Sequence, residues 1–195
     1  MRAFLVVGSQ AATAPFNLNG LTNAGRMDII CRCIAQSLFV SHGVRDDTDI
    51  YLLLLGPPDP PKAVHISGST VRYMGPDERN IGGIIRKALD VDAGEPWRES
   101  TPGVSVARRD LSGLLDELSY KVVYLHEDGV DIRAMDGLKD CLFVLGDHGG
   151  LPPSIRIVLE GQADHDVTVS PLSLQADQCI TLVHNELDRR HAGEV

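Results

Sequence analysis

LFVLGDHGGLPPS, residues 142–154, is the stretch on which the fold turns. Its apolar run, 142–145, reads as a strand covered on both faces, the kind found in parallel sheets. The run stops at Gly146-Asp147-His148-Gly149-Gly150, and Pro152 and Pro153 follow. In parallel α/β sheets ligands gather at the carboxyl ends of the strands, so this loop is a candidate binding element. A phosphate fits poorly: there is no G-x-G-x-x-G, no Walker lysine, and Asp147 would repel it. A metal on Asp147 and His148 lacks further ligands at recognisable spacing. A tight turn that uses glycine's backbone freedom is the plain alternative.

The rest of the 195-residue chain fits an α/β reading. Strands are expected over 2–8, 50–55, 121–125, 141–145 and 166–169. Residues 63–66 and 70–73 look like a hairpin around Ser67-Gly68-Ser69. Helices are expected over 26–41, 76–89, 111–118, 153–160 and from about 173 to 190. Residues 91–103, VDAGEPWRESTPG, are the most linker-like part. Strands alternating with helices imply a mainly parallel sheet, and the length suits one domain. Three strand ends then fall in the second half: 125–129, 146–150 and 170–172.

Composition narrows the function. No run of about 18 uncharged apolar residues occurs, so no spanning helix is expected, and a cytoplasmic protein is the default. Cys31, Cys33, Cys141 and Cys179 lack zinc-site spacing and read as small buried thiols in a reducing compartment. The net charge of -9 at first argues against a nucleic-acid partner. Its distribution does not: residues 1–98 carry ten Lys/Arg and ten Asp/Glu, whereas 99–195 carry eight against seventeen. A polyanion would meet the N-terminal half, with Arg26, Arg32, Arg45, Arg79, Arg86 and Lys87.

Six segments in order, GR-x-D, CRC, SHG-x-R, PDER, LGDH-x-G and HNELDR, lie within 24–47, 68–80, 143–150 and 179–190. In this combination the chain resembles the archaeal TrmY family, tRNA pseudouridine(54)-N1-methyltransferases of the SPOUT superfamily. The Nep-type ribosomal RNA enzymes share the fold and part of the first motif. The resemblance implies a single domain over 1–195 with a deep C-terminal trefoil knot and a cofactor region in 120–195. It also implies S-adenosylmethionine as cofactor, tRNA as substrate, a homodimer, and neither metal nor membrane.

By motif match, cofactor contacts are expected from Leu125, Gly146, Val169, Ser170, Pro171, Leu172, Leu174 and Cys179. The family often has glycine where this chain has Ser170, so that position must find an allowed backbone angle. The same resemblance makes Arg26, Asp28, Asp77 and Arg79 the candidate catalytic residues. A carboxylate can accept the N1 proton and an arginine can stabilise charge on the uracil carbonyls. Asp28 is equally a helix-start residue favoured by the dipole. Glu78 reads as support for the next helix start, with Asp77 and Arg79 placed either on RNA or across a subunit interface. His42 and Arg45 are either helix-end cations or phosphate ligands. Asn185 and Glu186 of HNELDR read as hydrogen-bonding residues of the knot or dimer. The rival functions are the same chemistry at a ribosomal RNA pseudouridine, as in the Nep-type enzymes, a non-catalytic RNA-binding or ribosome-assembly factor, and a nicotinamide-nucleotide-binding protein.

Overall fold

The computed structural model describes residues 1–193. Strands are β1 (Arg2–Gly8), β2 (Phe39–Val40), β3 (Gly43–Val44), β4 (Thr48–Leu54), β5 (Lys62–Ser67), β6 (Arg98–Thr101), β7 (Val104–Ala107), β8 (Lys121–Asp131), β9 (Cys141–Gly146) and β10 (His165–Thr168). Helices are α1 (Met27–Leu38), α2 (Glu78–Asp90), α3 (Leu111–Glu117), α4 (Pro153–Gln162) and α5 (Ala176–Gly193).

Eight strands form one sheet in the order β10-β8-β9-β1-β4-β5-β7-β6. The first five are mutually parallel, and β5, β7 and β6 continue antiparallel. The period of two along β1 sorts its side chains. Phe4 and Val6 enter one core with buried residues of α1, α2 and α5, while Ala3, Leu5 and Val7 enter the other with α3 and α4. Helices on both faces explain why β4 is buried along its whole length and β9 is apolar.

α1 buries Met27, Ile30, Cys31, Cys33, Ile34 and Leu38, a helical stripe aimed at the sheet. It ends at Leu38, three residues before the expected limit, because β2 and β3 form a small antiparallel ribbon there. α2 starts where its acids placed it: Asp77 is the N-cap and its side chain accepts the Asn80 N–H at 2.9 Å.

Two expectations are corrected. Residues 70–73 do not pair with β5; its edge is taken by β7, because the backbone of Tyr73 is left-handed and cannot continue a strand. Residues 91–103 are not a linker, since they contain β6, the polar outer strand of the sheet. Its Arg-Glu-Ser-Thr composition is that of an exposed edge, and Pro102-Gly103 form the turn into β7.

α5 is fastened to β1 and α1 by charged groups. The His184 ring stacks edge-on against Phe4, and its Nε2 meets the Ser37 carbonyl at 3.0 Å. Its Nδ1 lies 3.1 Å from Arg2 Nη1. Asp188 accepts from Arg2 at 2.7 Å and from Arg45 at 2.6 and 3.1 Å. Arg45 is thus a cross-link between the α1–β4 connection and α5, while Asn185 and Glu186 accept from Arg189 and Arg190 one turn on.

Burial, joined by the nearby charges of Arg45 and Arg2, pushes the His184 pKa down to about 4 from 6.5. The unfolded chain therefore binds a proton that the folded chain refuses between those values. Stability from this group is complete above about pH 6.5 and falls by roughly 3 kcal/mol as pH drops to 4. Urea unfolding at pH 7.5 and 4.5 tests this. His184→Gln should flatten the dependence, and an unaltered pH slope in that variant would disprove the assignment.

Candidate functional site

The three strand ends expected in the second half meet, because β10, β8 and β9 are neighbours in the sheet. β8 runs further than its apolar stretch predicts, yet its ladder with β10 is interrupted. Asp166 is opposite Tyr124 and Val167 opposite Val130, so residues 125–129 leave the pairing as an excursion. Beside it stand the loop after β9 and the loop between β10 and α5. Together with the start of α1 they enclose a cavity of about 850 Å³, within the range typical of small-molecule sites.

Each wall has a local cause. A Cβ on Gly146 would lie 2.5 Å from the Gly150 carbonyl carbon, so the turn closes only over glycine. Asp147 is nearly enclosed and accepts Ser9 N–H at 2.8 Å, Gly149 N–H at 2.9 Å and the Ser9 hydroxyl at 3.0 Å. Those bonds commit its oxygens to the loop and tie that loop to the end of β1. Glu127 accepts the Ser173 hydroxyl, joining the excursion to the third loop. In that third loop Ser170 needs no left-handed backbone, which answers the question its replacement of glycine raised. Its hydroxyl accepts Leu172 N–H at 3.1 Å instead.

Leu125, Gly146, Val169, Ser170, Leu172, Leu174 and Cys179 line the cavity, as does Arg26. Pro171 is exposed beside it, outside the lining. Asp28 stands directly behind Arg26, buried, and accepts Arg26 Nε and Nη2 at 3.0 Å each. Arg32 approaches the same carboxylate at 3.9 Å and Asp177 at 3.7 Å. The paired bonds from Arg26 hold the Asp28 carboxyl below the usual carboxylate range in spite of its burial. A carboxylate so paired is a poor proton acceptor and a good anchor for a guanidinium.

Asp77 and Arg79 stand apart from this cavity. Asp77 caps α2, and Arg79 donates to Asn19 Oδ1 at 2.6 Å. His126, Glu127 and His148, which lie in the expected strand-end loops but had no role assigned, line the cavity, and Tyr124 and Arg156 join them. The strand-end rule points to the three loop residues; only the tertiary fold brings Arg156.

Burial raises every cysteine thiol: Cys31 to about 12 and Cys141 to about 11, with Cys33 and Cys179 also pushed up. All four are free thiols, protonated at neutral pH. Among the described residues no three His, Cys, Asp or Glu side chains group as a metal site. No described helix is long and apolar enough to cross a membrane.

A nucleoside with a charged sulfur suits these walls. The lining combines the glycine turn 146–150, apolar Leu145, Leu174 and Ala176, and charged Glu127, Arg26, Arg32 and Arg156, a mixture of apolar wall and a few polar groups.

Known proteins of this build point the same way. A family described as "Putative SAM-dependent RNA methyltransferase" matches residues 1–192. Relatives named tRNA (pseudouridine(54)-N(1))-methyltransferase include one from Methanococcoides burtonii, 42% identical over 100% of this chain and 99% of its own. Another, from Methanocella arvoryzae, is 45% identical over 97% of this chain and 100% of its own. Among solved structures, Nep1 of Archaeoglobus fulgidus bound to S-adenosylhomocysteine superposes with a TM-score of 0.66 at 15% identity. It covers 98% of this chain and 99% of that one, a likeness of fold.

Proposed function

The chain belongs to this family of SAM-dependent RNA methyltransferases, and we propose that it methylates N1 of pseudouridine 54 in the T-loop of tRNA. The observation that carries the reading is the cavity itself: three loops from adjacent parallel strands, closed on one side by Arg26 held against Asp28. The substrate follows from the names of full-length relatives above 40% identity. The reading includes one SPOUT domain over 1–195, with knot and cofactor region in 120–195, acting as a cytoplasmic homodimer.

In this proposal Leu125, Gly146, Val169, Ser170, Leu172, Leu174 and Cys179 hold the cofactor, with Pro171 shaping the third loop. S-adenosylmethionine, when bound, supplies an electrophilic methyl on a positively charged sulfur. The protein must then align the nucleobase nitrogen, exclude water and favour loss of the N1 proton.

Arg26 meets the last need. Its guanidinium stabilises negative charge spreading onto the uracil carbonyls. Asp28 fixes the direction of that guanidinium and stays ionised. Transfer of the proton falls to water or to His126, Glu127 or His148 on the cavity wall. Asp77 and Arg79 belong to the surface that receives the RNA.

The test is methyl transfer from labelled cofactor to two tRNA transcripts, with uridine or pseudouridine at position 54. Labelling of the pseudouridine form alone is expected. Labelling of the uridine form, or of ribosomal RNA fragments only, would replace this substrate with another.

A further inference from the structure

Tyr73 is 89% exposed, and its backbone sits at φ 63. A left-handed backbone is rare for a bulky side chain and carries strain. Such strain persists where the surroundings impose it, and here they do. On one side Arg72 N–H donates to the Pro102 carbonyl at 3.3 Å, and Arg72 Nη1 returns to the Val71 carbonyl at 2.8 Å. On the other side Gly75 N–H donates to Asn80 Oδ1 at 2.8 Å, and Met74 turns inward against the core. The loop is braced at both ends, and the twist between the braces projects the ring into solvent. Almost no contact within this chain compensates the strain.

The charges beside it indicate what the ring meets. Arg72 and Arg79 are exposed and neither is ion-paired among the described residues. Of the two acids on the same segment, Asp77 is committed to the α2 cap and Glu78 stands in the first turn of α2. Aromatic rings presented beside arginines that lack a carboxylate partner are how proteins hold unstacked bases: the ring takes the base face, the cations take the flanking phosphates.

We infer that Tyr73 is a stacking platform for an unpaired nucleobase of the RNA substrate, with Arg72 and Arg79 on the adjoining phosphates. This rests on the proposed RNA substrate and adds to it a recognition surface away from the cofactor cavity. The strained turn pre-organises the ring, so binding need not order it.

Fluorescence anisotropy with full-length tRNA carrying pseudouridine 54, on the intact protein, tests the idea. Tyr73→Ala is expected to weaken binding by about 5- to 150-fold, the range for loss of one stacked base, and Tyr73→Phe to bind as the wild type does. Tyr73→Gly should lose the same affinity while its Tm does not fall, since glycine accepts the left-handed backbone. Affinity for S-adenosylhomocysteine should not change in any of the three. Equal tRNA affinity in wild type and Tyr73→Ala overturns the inference. So does a marked fall in Tm of Tyr73→Gly, or conversion to a smaller oligomer, which would assign the ring to folding or to a second copy. Wild-type protein that binds and methylates no tRNA would instead remove the substrate reading itself.

Discussion

Replacing Arg26 with lysine is expected to lower kcat for methyl transfer by about 100- to 1,000-fold, the usual cost of removing one aimed donor at a developing anion. Affinity for S-adenosylhomocysteine should stay within about threefold, because the three loops that form the cavity do not depend on this side chain. The guanidinium uses Nε and Nη2 to grip Asp28 and keeps Nη1 without a protein partner among the described residues. Lysine offers one charge centre and cannot hold the carboxylate with two atoms while presenting a third. Asp28→Asn should give a comparable kcat loss by releasing the arginine from its anchor. The two roles of Asp28 separate in the pH–rate profile. As an anchor its replacement lowers the curve without moving the acid limb. If the acid limb vanishes in Asp28→Asn, the carboxylate is the proton acceptor and its assignment here is wrong.

Much of this arrangement is legible in the sequence, for reasons that differ by element. β1, β4 and β9 each carry a long buried apolar run because helices cover both sheet faces, so these runs stand out against any neighbour. The start of α2 is written in Asp77 and Glu78, whose capping needs only local chemistry. β6 and β7 are not legible: β6 is polar, and both are short, β7 taking its conformation from pairing with β5 and β6 from pairing with β7. The loops of the cavity are placed by the strand-end rule, but the five-residue excursion of β8 is visible only once β10 pairs on either side of it.

The Arg26–Asp28 pair was identifiable as charged residues at a helix start. That Asp28 anchors Arg26 follows from the two-atom grip, which a sequence does not record. Arg156 enters the cavity from α4 for the same tertiary reason.

Gly25 connects this site to the fold, and Gly25→Ala is expected to damage both. The residue lies at φ +69, and an added Cβ would fall 1.6 Å from the Gln10 carbonyl oxygen and 2.9 Å from Ala11 Cα. These are backbone atoms of the segment that follows β1, so no side chain can rotate away to admit the methyl. Arg26 follows directly, itself left-handed at φ 63, and takes its direction from that crossing. The segments are further joined by Ala12 N–H donating to the Ala24 carbonyl at 3.1 Å. Separating them costs on the order of 3 kcal/mol or more, combining an incompatible φ with displaced main chain. The arginine would be carried away from the cavity, so kcat should fall with stability. Gly161→Ala in α4 is the control: its added Cβ meets nothing within 4 Å, and alanine favours a helix. Thermal unfolding should place Gly25→Ala several degrees below wild type and Gly161→Ala at or above it. A Gly25→Ala protein that melts with wild type and keeps its kcat would mean that the crossing of 10–11 by 24–26 is looser than this geometry, and that Arg26 is not oriented by it.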